Sequence, residues 1–168
     1  MKRGYDVRSV ANIVLLRARE LGLGVTNLHL NKSLFFIHVD YLRDFDKPLV
    51  SAKIEAWEYG PVFREVYNQF KRYKKEPIGG LAKRVSYATG ELVDAHDPIP
   101  EDTVRYVREL ADLYLNVPAG LLVELSHATG GAWDRVWSKG VEINAGMEIT
   151  EAIIRECELP IGKRIKIQ

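Results

Sequence analysis

Four histidines, one cysteine and a serine beside a histidine are the residues of this 168-residue chain with the clearest capacity for chemistry. Imidazoles bind zinc or move protons near neutral pH, and His29, His38, His96 and His127 are therefore the first to weigh. None lies three or four residues from another, so no helix turn offers a metal a histidine pair. Cys157 is the only cysteine, which excludes an intrachain disulfide and every zinc site built on several cysteines. Ser126 and His127 are adjacent, yet neighbours on a helix point about 100° apart, and no Gly-x-Ser-x-Gly elbow accompanies them. The "GLG" at 22–24 has Asn27 where a dinucleotide loop needs its third glycine, and it follows a helical stretch instead of a strand. Carboxylates are scattered, and pairs at helical spacing such as Glu151 and Arg155 read as surface ion pairs. The expectation is a chain with no cofactor, no metal and no reaction of its own, against the competing reading of a hydrolase using His127. His38, on the apolar side of its helix, is expected to be a hydrogen-bonded core histidine.

Binding chemistry is better represented. In "EAWEYGPVFREVYNQFKRYKK", residues 55–75, Trp57 and Tyr59 stand immediately ahead of a Gly60-Pro61 corner. If 48–59 forms a strand, alternation sets Trp57 and Tyr59 on one face, opposite Ile54 and Ala56. The two aromatics then either close the core or form a contact surface of the kind enriched at interface centres. Trp133 and Trp137, four residues apart, pose the same choice, with Trp133 expected in the core. "KRYKK", Lys71–Lys75, is expected to offset the negative pole of a helix end. The alternative is a nucleic-acid patch, with Tyr73 as a stacking aromatic.

These residues must be positioned by helices. Val7, Val10, Ala11, Val14, Leu15, Ala18 and Leu21 make a helical stripe, with Asp6 as its cap. A second helix starts at Thr26 or Asn27 and runs to about Asp44, apolar around so much of its surface that it must be central. Pro61 suits a first helical position, and Val62, Phe63, Val66, Tyr67 and Phe70 predict a third helix over 61–74. A strand-like piece, "KRVSYAT", is placed against 52–57 as a small sheet. Helices follow from Glu101, over 118–128, over "GAWDRVW", and behind a Thr150 cap. The tail "PIGKRIKIQ" reads as a strand or a loose end. The fold class predicted is mainly α: a single compact domain over 1–168, core 6–155 and tail 156–168, with six or seven helices and a small β element.

Bulk composition bounds the function. With 24 basic against 23 acidic residues, the formal charge is +1, too little to draw the whole molecule to nucleic acid or an anionic membrane. No run approaches the roughly 20 apolar residues that span a bilayer, and "MKRGYDVRSV" meets charge before any leader-like stretch. A soluble, cytoplasmic protein is expected.

"LNKSLFFIHVDYL" at 30–42 followed by "IEAWEYGPVFREVYNQFK" at 54–71 resembles the Panacea-domain family, the SocA- and GepA-like antitoxins of bacteria and phages. Leu30, Lys32, Leu34 and Phe35 to Phe36 look like that family's first helix. Ala56, Trp57, Tyr59, Gly60, Pro61 and Val62 match its Ala-Trp-x-Tyr-Gly-Pro-Val run completely. Ser126, His127 and Trp133 look like a third element, with Ala132 where proline is usual. The resemblance implies an antitoxin of a toxin–antitoxin pair that binds a cognate protein toxin directly, in phage or mobile-element settings, and a related role as protease adaptor. It makes Lys32, Trp57, Tyr59, Gly60, Pro61, Tyr67, His127 and Trp133 the candidate motif or partner-binding residues.

Overall fold

Asp6 opens the first helix, α1 (Val7–Glu20), by accepting the backbone N–H of Arg8 at 2.9 Å. These and all further contacts come from a computed structural model that describes residues 4–139 and 147–165. Helix α2 (Asn27–Phe45) starts at Thr26, whose hydroxyl accepts the His29 N–H, and every residue from Leu30 to Leu42 is buried. The apolar circumference thus places α2 at the centre, against α1, α3 (Arg64–Phe70), α4 (Glu101–Leu115) and α5 (Ala119–Ser126). Helices α6 (Ala132–Lys139) and α7 (Glu151–Cys157) complete seven among the described residues, and the Thr150 hydroxyl caps α7 by accepting from Ile153 N–H. The molecule is mainly helical, with two small two-stranded sheets.

A central helix hides its polar residues as well as its apolar ones, and each needs a partner. Asp40 is met by Arg43 and by the Tyr114 hydroxyl. His38 Nδ1 accepts the Val50 N–H at 3.5 Å, so the core histidine expected from sequence is what the fold contains.

The 61–74 expectation needs correction. Residues Ile54–Trp57 (β1) and Gly60–Phe63 (β2) form an antiparallel hairpin around a two-residue turn, Glu58-Tyr59, and α3 starts only at Arg64. Tyr59 therefore lies in the turn and not on the strand face with Trp57. Pro61 pairs with Ala56 at a position where neither points backbone polar groups at the other. Ala56 sends its N–H outward to the Met147 carbonyl (2.8 Å), and Pro61 turns its carbonyl to Lys32. A proline without an N–H therefore costs this ladder nothing. The far edge of β1 is occupied by residues 147–149, with Ile149 N–H donating to Ile54 O at 2.8 Å.

The expected pairing of "KRVSYAT" with 52–57 is also corrected. Lys83–Val85 (β3) pairs with Leu92–Asp94 (β4) in a separate hairpin, because β1 already has both edges filled. In the tail, residues 158–161 form turns, Glu158 is buried, and its carboxylate receives Arg164 at 3.1 Å and the Ala132 N–H at 2.8 Å. Residues 166–168, part of the tail read as strand or loose end, lie outside the described residues.

Candidate functional site

The β1–β2 hairpin stands beside the first turn of α2, and between them opens a cavity of about 800 Å³. Its walls are Thr26, Asn27, Leu28 and Asn31 from α2, Trp57, Tyr59 and Val62 from the hairpin, and Tyr67 from α3. Lys32 lies buried beneath its floor, and Lys71, Lys74 and Lys75 stand at its rim with Glu58. This is the size and the apolar-with-few-polar-groups character of ligand sites.

Lys32 is fully buried, at 0% exposure, and its ammonium donates to the Pro61 carbonyl at 2.7 Å. Among the described residues no carboxylate pairs with it. Desolvation without a counter-charge pushes its pKa down to about 7, so a lysine here is half-charged near neutrality. Gly60 allows that side chain to pass. It takes φ +104°, and a Cβ built on it would lie 2.5 Å from Ser126 Oγ and 2.9 Å from Lys32 Cε. Both the backbone sign and the space demand glycine at this position.

Asn27 and Asn31, one turn apart on α2, tie the cavity's walls together. Asn31 accepts the Phe63 N–H at 3.0 Å and donates to Asn27, and Asn27 donates to the Tyr67 carbonyl at 3.1 Å. Trp57 is half-buried, edge-on to Tyr67 with ring centroids 4.8 Å apart. Its indole N–H donates to Glu55 at 2.8 Å, and the Arg64 guanidinium binds the same carboxylate at 2.8 Å while standing 5.7 Å from the Trp57 ring. Desolvation pushes the Glu55 carboxyl up, but the bonds from Arg64 and Trp57 outweigh it and leave it below its ordinary range. Tyr59 is 62% exposed at the tip of the hairpin.

His127 and Trp133 lie behind this wall. The imidazole stacks on Trp133 with centroids 3.7 Å apart, Trp133 stacks on Trp137, and Trp133 Nε1 donates to the Trp57 carbonyl at 2.7 Å. Trp133 is 8% exposed, as expected of a core residue, whereas Trp137 is 42% exposed. Burial, and then the nearby Lys32 charge, hold His127 below its usual pKa. The Ser126 hydroxyl donates to the Val123 carbonyl and not to His127, and His127 Nε2 has no partner among the described residues. That geometry does not couple Ser126 to His127 as nucleophile and base. Nor do the described residues hold a cluster of His, Cys, Asp and Glu fit for a metal ion.

The basic run is divided between its expected place at a helix end and the cavity. Helix α3 ends at Phe70, Lys71–Tyr73 is a single 3-10 turn, and Glu76 N–H donates to Tyr73 O at 2.9 Å to close a reverse turn with Lys74 and Lys75 at its corners. Lys74 adopts φ 55°, ψ −117°, a corner that glycine usually fills and that costs another residue about 1–3 kcal/mol. Lys71 and Arg72 thus stay at the helix end, and Lys74 and Lys75 are carried past it to the cavity mouth. Lys32, Trp57, Tyr59 and Tyr67 line the cavity, Gly60 and Pro61 contact Lys32 outside its lining, and His127 and Trp133 buttress it from behind. Sequence reasoning missed Asn27, Asn31, Glu55 and Arg64. The four-residue spacing of the two asparagines on a central helix, and the alternation of Glu55 with Trp57, were the signals available.

No helix among the described residues is long and apolar enough to cross a membrane. No solved structure matches the chain. Residues 30–134 match the family model "Antitoxin SocA-like, Panacea domain". "Antitoxin SocA" of Caulobacter vibrioides (strain NA1000 / CB15N) is 32% identical over 155 residues, which cover 92% of this chain and 82% of the relative. The matched segment covers most of the cavity's lining, from Asn31 through the Trp57–Val62 corner to Lys75, and runs on to Trp133; the chain belongs to the SocA-like, Panacea-domain antitoxin family.

Proposed function

We propose that this protein neutralises a cognate protein toxin by binding it directly, making and breaking no bond, and that the docking surface is the aromatic corner of the β1–β2 hairpin with the cavity beneath it. Family membership supports the antitoxin role. The observation that carries the surface is Tyr59: a large aromatic 62% exposed on a hairpin whose backbone is tied to α2 through Asn31 and Lys32. A preorganised aromatic anchor is what interface energetics favour, since little freedom remains to be lost on binding.

Trp57 is a poorer probe of this idea than Tyr59. Its indole holds Glu55 and its carbonyl holds Trp133, so Trp57→Ala disturbs stability and binding together. Tyr59 makes no such bonds among the described residues. The test is co-expression with the adjacent reading frame: the neighbour alone arrests growth, this chain relieves the arrest, and Tyr59→Ala abolishes relief while its melting temperature stays within about 2 °C of the parent. A neighbour that is harmless alone, or relief undiminished in Tyr59→Ala, refutes the reading.

A further inference from the structure

Among the cavity's lining residues there are four lysines, one carboxylate, and neither an arginine nor a glycine. Phosphate recognition is usually built from arginine forks or glycine-rich backbone nests, and both are missing from this wall. Point-like ammonium groups spaced around aromatic walls suit separate carboxylates carried on a chain with apolar side chains between them. Lys32 has two N–H groups left after the Pro61 carbonyl is served, and Lys71, Lys74 and Lys75 have no carboxylate partner among the described residues. The turn that aims Lys74 is itself strained, so the rim cations are held in place against local backbone preference.

We propose that the cavity receives an acidic segment of the toxin, with one carboxylate set over the charge of the buried Lys32, a neighbouring aromatic or aliphatic side chain against Trp57 and Tyr67, and further carboxylates on the exposed Lys71, Lys74 and Lys75. This rests on the docking reading above and names the chemistry of the partner. Binding of a carboxylate favours the charged form of Lys32, so the complex takes up protons as it forms near neutral pH. His127 is the other titratable group close to Lys32, and Glu58 is the one acid at the mouth. An anion on Lys32 raises both the lysine and the histidine affinity for protons, in the same direction.

Calorimetric titration of the full chain with acetyl-Asp-Phe-Glu-Phe-Asp-amide, and with its Asn/Gln counterpart, tests the proposal. At about 50 mM salt the acidic peptide saturates the protein, the neutral one does not, and the heat varies with the ionisation enthalpy of the buffer. Lys32→Met weakens the acidic peptide by about tenfold or more and removes most of the buffer dependence. Lys74→Ala with Lys75→Ala, both exposed, weakens it without changing proton uptake, which keeps the test alive if the Lys32 variant folds poorly. No saturation by the acidic peptide at ~1 mM overturns the proposal. So does binding indifferent to both sets of lysines, or a preference for inorganic tripolyphosphate. If the peptide binds as described but the chain does not relieve a toxic neighbour, the antitoxin reading has failed and the pocket stands. Relief that persists in Lys32→Met, with no peptide binding, fails the pocket and leaves the antitoxin reading in place.

Discussion

Lys32 is costly for the fold, and the sign of that cost can be measured. Its pKa lies at about 7 in the folded chain against 10.5 for the free side chain, so between those values the unfolded state binds more protons than the folded one. Stability contributed at this residue therefore rises as pH increases from about 7 toward 10, by up to about 1.4 kcal/mol per unit, and the penalty is fully present below pH 7. Lys32→Met should be at least as stable as the parent at pH 7, with the difference between the two shrinking toward pH 9, as read from urea unfolding at several pH values. Gly60 is the opposite case. Gly60→Ala forces a Cβ into Ser126 and Lys32 at φ +104°, and a loss of about 2–4 kcal/mol is expected in the same assay. Lys32 and Gly60 were named from the family motif, but their contact with each other was not legible. It joins residues far apart in sequence, and no local periodicity encodes it.

At the level of elements, capping and patterning were readable where the decisive interactions are local. Asp6, Thr26 and Thr150 each accept a backbone N–H within the first turn, as their side chains predict. The stripe on α1 and the largely apolar α2 likewise followed from helical spacing. The hairpin was misread at Gly60–Phe63, since a proline after a corner looks like a helix start when its neighbours are considered alone. What makes it a strand is remote: Lys32 takes the Pro61 carbonyl, Asn31 takes the Phe63 N–H, and Met147 takes the N–H of the opposing Ala56. The union of α6 with the hairpin is similarly non-local and rests on the Trp133 indole donating to Trp57 O. Trp133→Phe keeps an aromatic ring against His127 but removes the indole hydrogen bond that ties α6 to that carbonyl. A loss of about 1–2 kcal/mol is expected in urea unfolding, together with weaker peptide binding as the Trp57 wall loosens.

For the molecule as a whole, near-neutral charge conceals a local concentration. The overall balance of +1 excludes a global field, yet four lysines gather around one opening. Sequence could count these cations but could not aim them, because the aiming depends on a strained corner at Lys74 and on a hairpin packed against α2. Tyr59→Ala is the prediction that belongs to this scale: it should leave the melting curve of the entire fold unchanged and alter only what the protein does to a neighbour's toxicity. A change in both would assign Tyr59 to the fold instead.

The seam along the outer edge of β1 carries one more implication. Met147 and Ile149 close that edge, and Trp133 latches onto the carbonyl of Trp57, so the aromatic corner is finished by parts of the chain made long after it. During translation, the hairpin leaves the ribosome with one flank bare and its tryptophan unbraced. A product cut short before residue 147 would expose that raw strand to other polypeptides and would have no finished recess to offer. Protection would thus switch on all at once, only after residue 149 has been made.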